Sequence, residues 1–539
     1  MFDILIKNGE IIDGTGKPRF KADIGISNGR IEKISSLIND DAKDIINAEG
    51  LIVSPGFIDI HGHTDMGFFS NATVLYKIRQ GITTDLSGNC GLSMAPIKKD
   101  PKQDSISSAT DVSDLSSSLV NFSDYLKALE KTELGINVAS LIGHGTVRDF
   151  VVGFKEKITE SELEKMKKIV EEAMLEGAFG LSTGLVYAPA CYADTEEIIE
   201  LCKIVSKHGG IYATHMRGLR ETFVEATREA IRIGEEADLP VQISHYVPQY
   251  GAWGLCKESI PLIEDAVSRG IDVTLDIHLD TVGGTSVSDI LPVWVKDGGI
   301  NQLITRLKEK EIRDRLKSEM PNFVGPGTSG FVKHGRWDIL RISSGLSKNK
   351  KYLGRTIKEI VDETGKDPFE VLFDLIIDEG NFFLSGLYND EEDIRYALKN
   401  PLSMVATDAD SGYRYGVSKK LDQMPPRNYS TMPRLLGKYV REEKLLSLEE
   451  AVKKITYSPA KRMGLKDRGV IKEGAWADIT VFDPETISEG ATDKEFLAGK
   501  KYKNMYPTGI NFVIINGKVV LYQGESTGTL SGKVLKRED

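Results

Sequence analysis

Apolar, strand-like runs alternate with amphipathic, helix-like segments through most of this 539-residue chain, and no other feature restricts its fold as strongly. Eight strand-like runs occur, at residues 57–61, 83–90, 137–144, 178–185, 211–215, 241–245, 272–279 and 404–408. Segments with helical periodicity separate several of them, at residues 160–175, 195–207, 222–237 and 259–269. Because strands joined through helices pair in parallel, eight such units predict a (β/α)8 barrel.

Both ends of the chain depart from this pattern, because they consist of short strand-like runs separated by turns. Neither end is long enough to bury a sheet face alone, so we predict one small β-sandwich domain built from residues 1–54 and 465–539. The barrel then occupies residues 55–464. The stretch between residues 280 and 408 is longer than one helix and predicts an insertion at residues 282–341, while residues 382–388 could form a further strand.

The composition is that of an ordinary globular protein, with 40% hydrophobic and 28% charged residues. A formal charge of −11 argues against a nucleic-acid or anionic-membrane partner. The first residues lack the pattern of a signal peptide, and no apolar run approaches the roughly 20 residues that span a bilayer, so we expect a cytoplasmic protein. Four cysteines in so long a chain do not indicate a disulfide framework. The oligomeric state stays open.

Two of the eight histidines, His61 and His63, stand one residue apart at the end of the first strand-like run. Residues i and i+2 of a strand point to the same side, so both imidazoles are expected to project together. Imidazole is a common ligand for zinc and related metals, and the pair therefore predicts a metal role.

Other side chains able to bind metal also stand where strand-like runs end. In a parallel barrel all strands open on one face, so we expect these side chains to converge there. The full set of predicted metal ligands is His61, His63, Cys90, His215, His245 and Asp408.

Each assignment has a structural alternative. Cys90 could be an inert buried thiol, although its turn between two glycines favours a ligand. Asp408 could cap the following segment, and Asp410 is its nearest rival. His144 follows a strand and could either touch substrate or have a structural role.

Several segments together resemble one known family. They are PGFIDIHGHTD at 55–65, GHGTVR at 143–148, GLSTGLVY at 180–187, SPAKRMGLKDRG at 458–469 and ADITVFDP at 477–484. The first is typical of the amidohydrolase superfamily. The later ones, with Cys90, resemble the N-acyl-D-amino-acid deacylase (D-aminoacylase) family, and the resemblance runs nearly end to end.

The resemblance implies a zinc-dependent barrel hydrolase that cleaves a linear amide bond of an N-acyl-D-amino acid or a related substrate. Cys90, His215 and His245 would hold the tight zinc, with His61 and His63 at a second, weaker or empty site. Most superfamily members bridge two metals with a lysine or glutamate on strand four, and residues 180–184 contain neither. Asp408 would take a proton from the attacking water and return it to the leaving amine.

The substrate-binding residues match the family only in part. Tyr187 and Arg427 match, and His278 and His144 are further candidates. A family lysine is replaced by Val247, a family serine by Gly284, and a family histidine by Pro426.

A lost lysine, together with Asp280 as an added negative charge, predicts a less anionic or partly cationic substrate. A cyclic amidase of the hydantoinase or dihydroorotase type, or a deaminase, is the alternative on the same barrel. A non-catalytic relative would not need the full ligand set.

Overall fold

The computed structural model describes residues 1–65, 67–70, 74–97, 119–324, 330–411, 413–414, 417–418 and 424–537. Its centre is a ring of eight parallel strands, three of which are interrupted by one or a few residues. In chain order, the strands are Phe57–Asp59 with Gly62–His63, Ile82–Ser87, Asn137–Ser140 with Ile142–Gly143, Gly180–Gly184, Ile211–His215, Val241–Ile243, Val273–Ile277, and Ser403–Val405 with Ala409–Asp410.

Parallel pairing connects each barrel strand to the next in chain order. The last strand returns to the first, because Ala409 pairs with Gly62 and Asp410 with His63. The ring is therefore closed, and the predicted (β/α)8 barrel is confirmed.

Helices connect and surround the barrel strands. They are Gly67–Ser70, Leu75–Ile78, Phe122–Glu130, His144–Val151, Glu160–Glu176, Thr195–Lys207, Phe223–Ala237, Cys256–Ser268, Glu391–Lys399, Arg427–Arg434, Leu435–Glu442 (a π-helix), Leu448–Ile455 and Tyr457–Arg462. None of the helices in the described ranges is both long and apolar enough to cross a membrane.

The helix Glu160–Glu176 illustrates how local sequence sets these boundaries. Thr159 caps its first turn, because its side chain accepts a hydrogen bond from the Glu162 N–H while the Glu162 carboxylate accepts one from the Thr159 N–H. Gly177, at φ +111°, ends it in the left-handed conformation that glycine adopts freely. The buried face of this helix packs on the barrel.

The two ends of the chain meet in one nine-stranded sheet, the small β domain. Its strands are Phe2–Ile11, Phe20–Ser27, Arg30–Ser35, Ala42–Asn47, Ile52–Pro55, Ile479–Phe482, Ile510–Ile515, Lys518–Tyr522 and Glu525–Ser526. The junction is the antiparallel pairing of Ile52–Pro55 with Ile479–Phe482. Shorter elements are Ala190–Tyr192, Asp493–Leu497 and the pair Tyr413–Arg414 with Val417–Ser418.

A third unit lies between the seventh and eighth barrel strands. Its antiparallel strands are Val282–Ser286, Arg341–Ser344 and Phe383–Leu387, and its helices are Val287–Ile290, Val293–Lys296, Ile300–Leu307, Lys310–Glu319, Gly330–Lys333, Lys350–Tyr352, Ile357–Thr364 and Pro368–Glu379. It has an apolar core of its own.

Phe383–Leu387 is the central strand of this sheet, so the further strand considered at residues 382–388 exists outside the barrel. Because that strand completes the sheet, we propose that the inserted unit runs from residue 282 to residue 387, beyond residue 341. Residues 325–329 of it lie outside the described part. The division into 1–54 plus 465–539 and 55–464 likewise stays a proposal.

Candidate active site

The His61–Gly62–His63 segment lies at the mouth of the barrel, where its first strand meets the eighth. Both histidines are buried, at 0% and 6% exposure. A Cβ atom on Gly62 would stand 2.1 Å from the Asp85 Oδ1, so only glycine fits between the two histidines. The pair predicted from sequence is thus held by close backbone packing.

The Cys90 thiol is the meeting point of three imidazoles from three other strands. Its Sγ lies 3.4 Å from His61 Nε2, 3.5 Å from His245 Nε2 and 3.7 Å from His215 Nδ1. The His215 Nδ1 is also 3.3 Å from the Tyr187 hydroxyl. Cys90 is 2% exposed, so these contacts are made away from bulk water.

Asp408 completes a second group on the other side of His61. Its Oδ1 lies 3.2 Å from His63 Nε2 and 3.6 Å from His61 Nε2. Its Oδ2 lies 3.4 Å from Arg427 Nη2, and the Arg427 Nε–H donates to the Asp408 carbonyl at 3.0 Å. The structure therefore brings all six predicted ligands together.

Three of these ligands have a backbone conformation that non-glycine residues rarely adopt. The φ angles are +53° at Cys90, +35° at His245 and +48° at Asp408. Each such residue costs on the order of 1–3 kcal/mol and persists only where its surroundings hold it. Strain at three converging side chains indicates a functional rather than a packing role.

Buried carboxylates support the ligands from behind. The Asp276 Oδ1 lies 3.2 Å from His61 Nδ1 and accepts the His245 N–H at 2.8 Å, while its Oδ2 accepts from Gln242. A carboxylate on the far nitrogen of a ligand histidine fixes the ring and raises its basicity. Below them the fully buried Lys77 bridges Asp59 and Asp85, at 2.6 and 2.5 Å.

The electrostatics favour a thiolate surrounded by cations. Burial raises the pKa of Cys90, but the positive charges of His61 and His63 and hydrogen bonds from His215 and His245 bring it well below its usual value. Burial lowers the pKa of His61, but Asp276 and Cys90 raise it well above its usual value. A bound metal cation would take the place of the protons on the thiol and the imidazoles, because metal binding requires a thiolate and neutral imidazoles.

The donor set fits a metal ion. One group consists of His61, Cys90 and His245 and the other of His61, His63 and Asp408, and the donor atoms within each group lie within 4.8 Å of one another. Thiolate and imidazole together are the ligands that zinc prefers.

A cavity, partly open to solvent, adjoins the metal ligands. Three of the predicted substrate-binding residues, Tyr187, Arg427 and His278, line it. Burial, and then the charge of Arg427, lower the pKa of His278 to about 3, so that imidazole is neutral. Its Nε2 lies 3.4 Å from Asn389 Nδ2.

His144, the fourth candidate, is placed differently. Its Nε2 lies 2.8 Å from Glu197 Oε1, which also accepts from Arg148, and His144 is not among the residues that line the described cavity. The ring is part of a buried ion-pair network at the start of the helix His144–Val151, which agrees with the structural alternative for this residue.

Two positions where the chain departs from the resembling family, Val247 and Gly284, do line the cavity. Asp280 does not. Its carboxylate is fully buried, 2.9 Å from Arg434 Nη1, and accepts the Arg427 backbone N–H at 2.7 Å. The expectation that Asp280 adds negative charge to the substrate site therefore has no support in its position.

Other lining residues were not anticipated from the sequence. Arg220, Asp289, Tyr388 and Asn389 face the same cavity, and Asp276 stands behind it. Asp276 could have been suspected, because it is a carboxylate near the end of the seventh barrel strand, Val273–Ile277. The others lie in loops or in the inserted unit, where no periodicity indicates which way a side chain points.

Comparison with known proteins agrees with this architecture. Residues 52–520 match the model of the amidohydrolase family. The chain is 35% identical to a D-aminoacylase of Alcaligenes xylosoxydans xylosoxydans, over 99% of this chain and 98% of that protein. A closed barrel with histidine, cysteine and aspartate at its mouth defines the class, and the chain belongs to the amidohydrolase family, in its D-aminoacylase branch.

Solved structures give the same assignment. A D-aminoacylase with a binuclear metal centre, described by one-metal activation and second-metal attenuation, superposes with a TM-score of 0.80 at 32% identity, over 100% of both chains. An N-acyl-D-glutamate deacylase from Bordetella bronchiseptica, complexed with zinc and a phosphonate that mimics the tetrahedral intermediate, has a TM-score of 0.80 at 28% identity, over 99% of both chains.

Proposed function

We propose that the protein is a zinc-dependent hydrolase that cleaves the linear amide bond of N-acyl-D-amino acids or closely related N-acyl compounds. The observation that carries the proposal is the position of the Cys90 thiol, within 3.7 Å of three imidazoles at the barrel mouth. Full-length similarity to a D-aminoacylase supports the same reaction.

Cys90, His215 and His245 would hold the tight zinc, and His61 and His63 with Asp408 a second, weaker ion. When bound, zinc polarises a carbonyl oxygen and makes water a nucleophile at neutral pH. Asp276 orients the His61 ring as a metal ligand, because its carboxylate lies 3.2 Å from the Nδ1 of that ring.

Asp408 is the proposed general base and acid. Burial raises the pKa of its carboxyl, but Arg427, His63 and His61 lower it well below its ordinary value, so Asp408 is ionised at neutral pH. It can accept a proton from the attacking water and pass it to the leaving amine. Arg427 fixes the carboxylate by holding its second oxygen.

Arg427 and Tyr187 are the proposed substrate contacts beside the base. Arg427 is 6% exposed, and its Nη1 has no hydrogen-bond partner among the described residues. A buried guanidinium with an open donor is suited to an anionic or carbonyl oxygen of substrate. The Tyr187 hydroxyl, 3.3 Å from His215, stands at the metal ligands themselves.

The cyclic-amidase alternative is weaker because of the fourth strand. Residues 180–184 contain neither the lysine nor the glutamate that would bridge two metals, and the Thr183 hydroxyl there is hydrogen-bonded to the hydroxyls of Tyr212 and Thr214, at 2.9 and 2.8 Å. We also propose a small-molecule substrate, without a nucleic-acid or membrane partner, and a cytoplasmic location.

Metal analysis and an amide panel test the proposal. The purified protein should bind zinc and release free D-amino acid from N-acetyl-D-methionine, without ammonia. Cys90→Ala should lose the tight zinc. Because a bound zinc contributes several kcal/mol of transition-state stabilisation, kcat/KM should fall by at least about 10⁴-fold. Cys191→Ala, another buried thiol, should keep both.

Three results would each contradict a part of this proposal. Failure to bind zinc would remove the metal centre. Ammonia release would favour a deaminase, and hydrolysis restricted to hydantoins or dihydropyrimidines would favour a cyclic amidase.

A further inference from the structure

The turn that carries Cys90 follows the second barrel strand and has an unusual backbone. The φ angles are +79° at Gly88, +53° at Cys90 and +74° at Gly91. Three left-handed residues within four positions do not keep one conformation by themselves, because glycine is flexible and a side chain at positive φ is strained. Contacts from outside the turn must therefore set the direction of the Cys90 side chain.

Ser182, in the middle of the fourth barrel strand, makes two such contacts. Its hydroxyl accepts the Gly91 N–H at 3.0 Å and donates to the Gly88 carbonyl. One side chain thus bonds to the backbone on both sides of Cys90. Ser182 is fully buried, so bulk water does not replace it in these hydrogen bonds.

The turn also packs directly on the fourth strand. A Cβ atom on Gly184 would stand 2.2 Å from the Cys90 carbonyl oxygen, so only glycine allows this approach. The position of the cysteine ligand of the second strand is therefore tied to the backbone of the fourth.

Two further contacts reach only one side of the turn each. Asp65 Oδ1 accepts the Gly88 N–H at 2.8 Å, and the Thr146 N–H donates to the Gly91 carbonyl at 3.1 Å. Without the Ser182 hydroxyl the turn would stay attached through these contacts, but its two sides would no longer be fixed relative to each other.

The neighbouring Thr183 faces the other side of the same strand, since successive side chains of a strand alternate. Its hydroxyl is also buried and bonds to the hydroxyls of Tyr212 and Thr214, at 2.9 and 2.8 Å. Thr183 therefore has two buried hydrogen bonds, as Ser182 has, but these bonds do not involve the Cys90 turn.

We propose that Ser182 is a positioning residue of the metal site, whose hydroxyl holds the Cys90 turn so that the thiol meets its three imidazoles. The inference rests on the proposed function and adds a residue to it. The fourth strand, without a lysine or glutamate at residues 180–184, then serves the metal indirectly, through the conformation of a ligand from another strand.

The zinc affinities of Ser182→Ala and Thr183→Val test this assignment. Competition with a chromophoric chelator measures the dissociation constant of the tight zinc without turnover. Ser182→Ala should weaken binding by about 10- to 100-fold, as the loss of an outer partner of a metal ligand does. Thr183→Val should leave it unchanged. Excess zinc should restore most of kcat in Ser182→Ala, because the ligands themselves are intact.

The position of the thiol can also be measured without metal. Iodoacetamide labelling of the metal-free protein, located by mass spectrometry, should modify Cys90 about 2- to 12-fold faster in Ser182→Ala than in the wild type, as expected for a turn loosened by a lost hydrogen bond. The buried Cys191, Cys202 and Cys256 are internal references and should keep their wild-type rates. Faster labelling of all four cysteines would show a general loosening of the fold and would overturn the proposal.

Equal loss of zinc affinity in Ser182→Ala and Thr183→Val, or unchanged affinity in both, would also overturn it. If circular dichroism shows that Ser182→Ala does not fold, Ser182→Thr and Ser182→Val take its place, because they share one shape and only the first has a hydroxyl. Tighter zinc binding by Ser182→Thr than by Ser182→Val supports the proposal, and equal binding contradicts it.

This inference and the proposed function can fail separately. If zinc affinity depends on Ser182 but no amide of the panel is hydrolysed, the positioning role stands and the proposed reaction is wrong. If N-acetyl-D-methionine is hydrolysed while zinc affinity and Cys90 labelling are indifferent to Ser182, the reaction stands and the positioning role is wrong.

Discussion

The cavity has two differently built parts, a metal end formed by Cys90, His215, His245 and Asp408, and a recognition side that includes Arg220, Val247, Gly284 and Tyr388. The metal end comes from the barrel strands, and its donor atoms contact one another directly. The recognition side comes from loops and from the inserted unit.

This difference indicates that reaction and substrate choice are set by separate parts of the chain. Parallel pairing brings the strand ends together, so side chains there keep their mutual positions. Loops can change without disturbing that pairing, and Val247 and Gly284 are places where this chain has changed. Changes at the metal end should therefore affect every substrate, and changes on the recognition side only some.

The substitution expected to have the largest effect at the metal end is Asp408→Asn. Asparagine keeps the shape but cannot accept a proton, so kcat should fall by about 100- to 10,000-fold on every substrate of the amide panel. Zinc held by Cys90, His215 and His245 should remain at the wild-type level. Steady-state kinetics and metal analysis of the same preparations measure both quantities.

Asp410→Asn is the control, because Asp410 lies two residues later on the same interrupted strand and is also buried. Its kcat should stay within about tenfold of the wild type, a range that general acid–base catalysis normally exceeds. If Asp410→Asn were the more damaging change, the base would be Asp410 and the assignment of Asp408 would be wrong.

The metal end was largely predictable from the sequence, and for a physical reason. Period-two spacing put His61 and His63 on one side of a strand, and a parallel barrel collects strand ends, so convergence followed from local patterns. The left-handed backbone at Cys90, His245 and Asp408 was not predictable, because tertiary packing imposes it.

Substitution of Asp276 tests whether the metal end depends on the buried carboxylate behind its ligands. Asp276 is not among the residues that line the described cavity, and it contacts His61 and the His245 N–H. Asp276→Asn should weaken zinc binding or activity by about 10- to 100-fold, as for other outer partners of metal ligands. Added zinc should restore part of kcat, which a purely structural defect would not allow.

Asp272→Asn provides the comparison at the opposite end of the same strand. Asp272 pairs with Arg462 and its side chain is 64% exposed, so zinc affinity should be unchanged. Wild-type zinc affinity in Asp276→Asn would mean that the barrel alone positions His61.

The recognition side was much less predictable. The deviations at Val247 and Gly284 were visible, but Arg220 and Tyr388 reach the cavity from a loop and from the end of the inserted unit, whose course depends on contacts distant in sequence. The inserted unit itself was indicated only by the long gap, and the strand that completes its sheet lies beyond the predicted end at residue 341.

The smallest expected effect on catalysis comes from loosening this unit at Glu379, at the end of the helix Pro368–Glu379. Its carboxylate accepts the backbone N–H groups of Ser347, Lys348 and Asn349, at 2.5–3.0 Å. Partial burial opposes the shift, but these hydrogen bonds lower the pKa of Glu379 to about 2, from an ordinary 4.5.

Because the folded pKa lies below the unfolded one, the ionised carboxylate stabilises the unit fully above about pH 4.5, and this stabilisation disappears as the pH falls towards 2. Glu379→Gln should therefore destabilise the inserted unit by roughly 1–3 kcal/mol at pH 7, and the difference from wild type should shrink between pH 4.5 and 2.

Hydrogen exchange read by mass spectrometry locates the change. Peptides from residues 341–387 should exchange faster while barrel peptides and bound zinc stay unchanged, and Asp378→Asn, next to it, should have little effect. Faster exchange throughout the barrel would instead mean that the two parts of the cavity share one cooperative unit, and their separation would not hold.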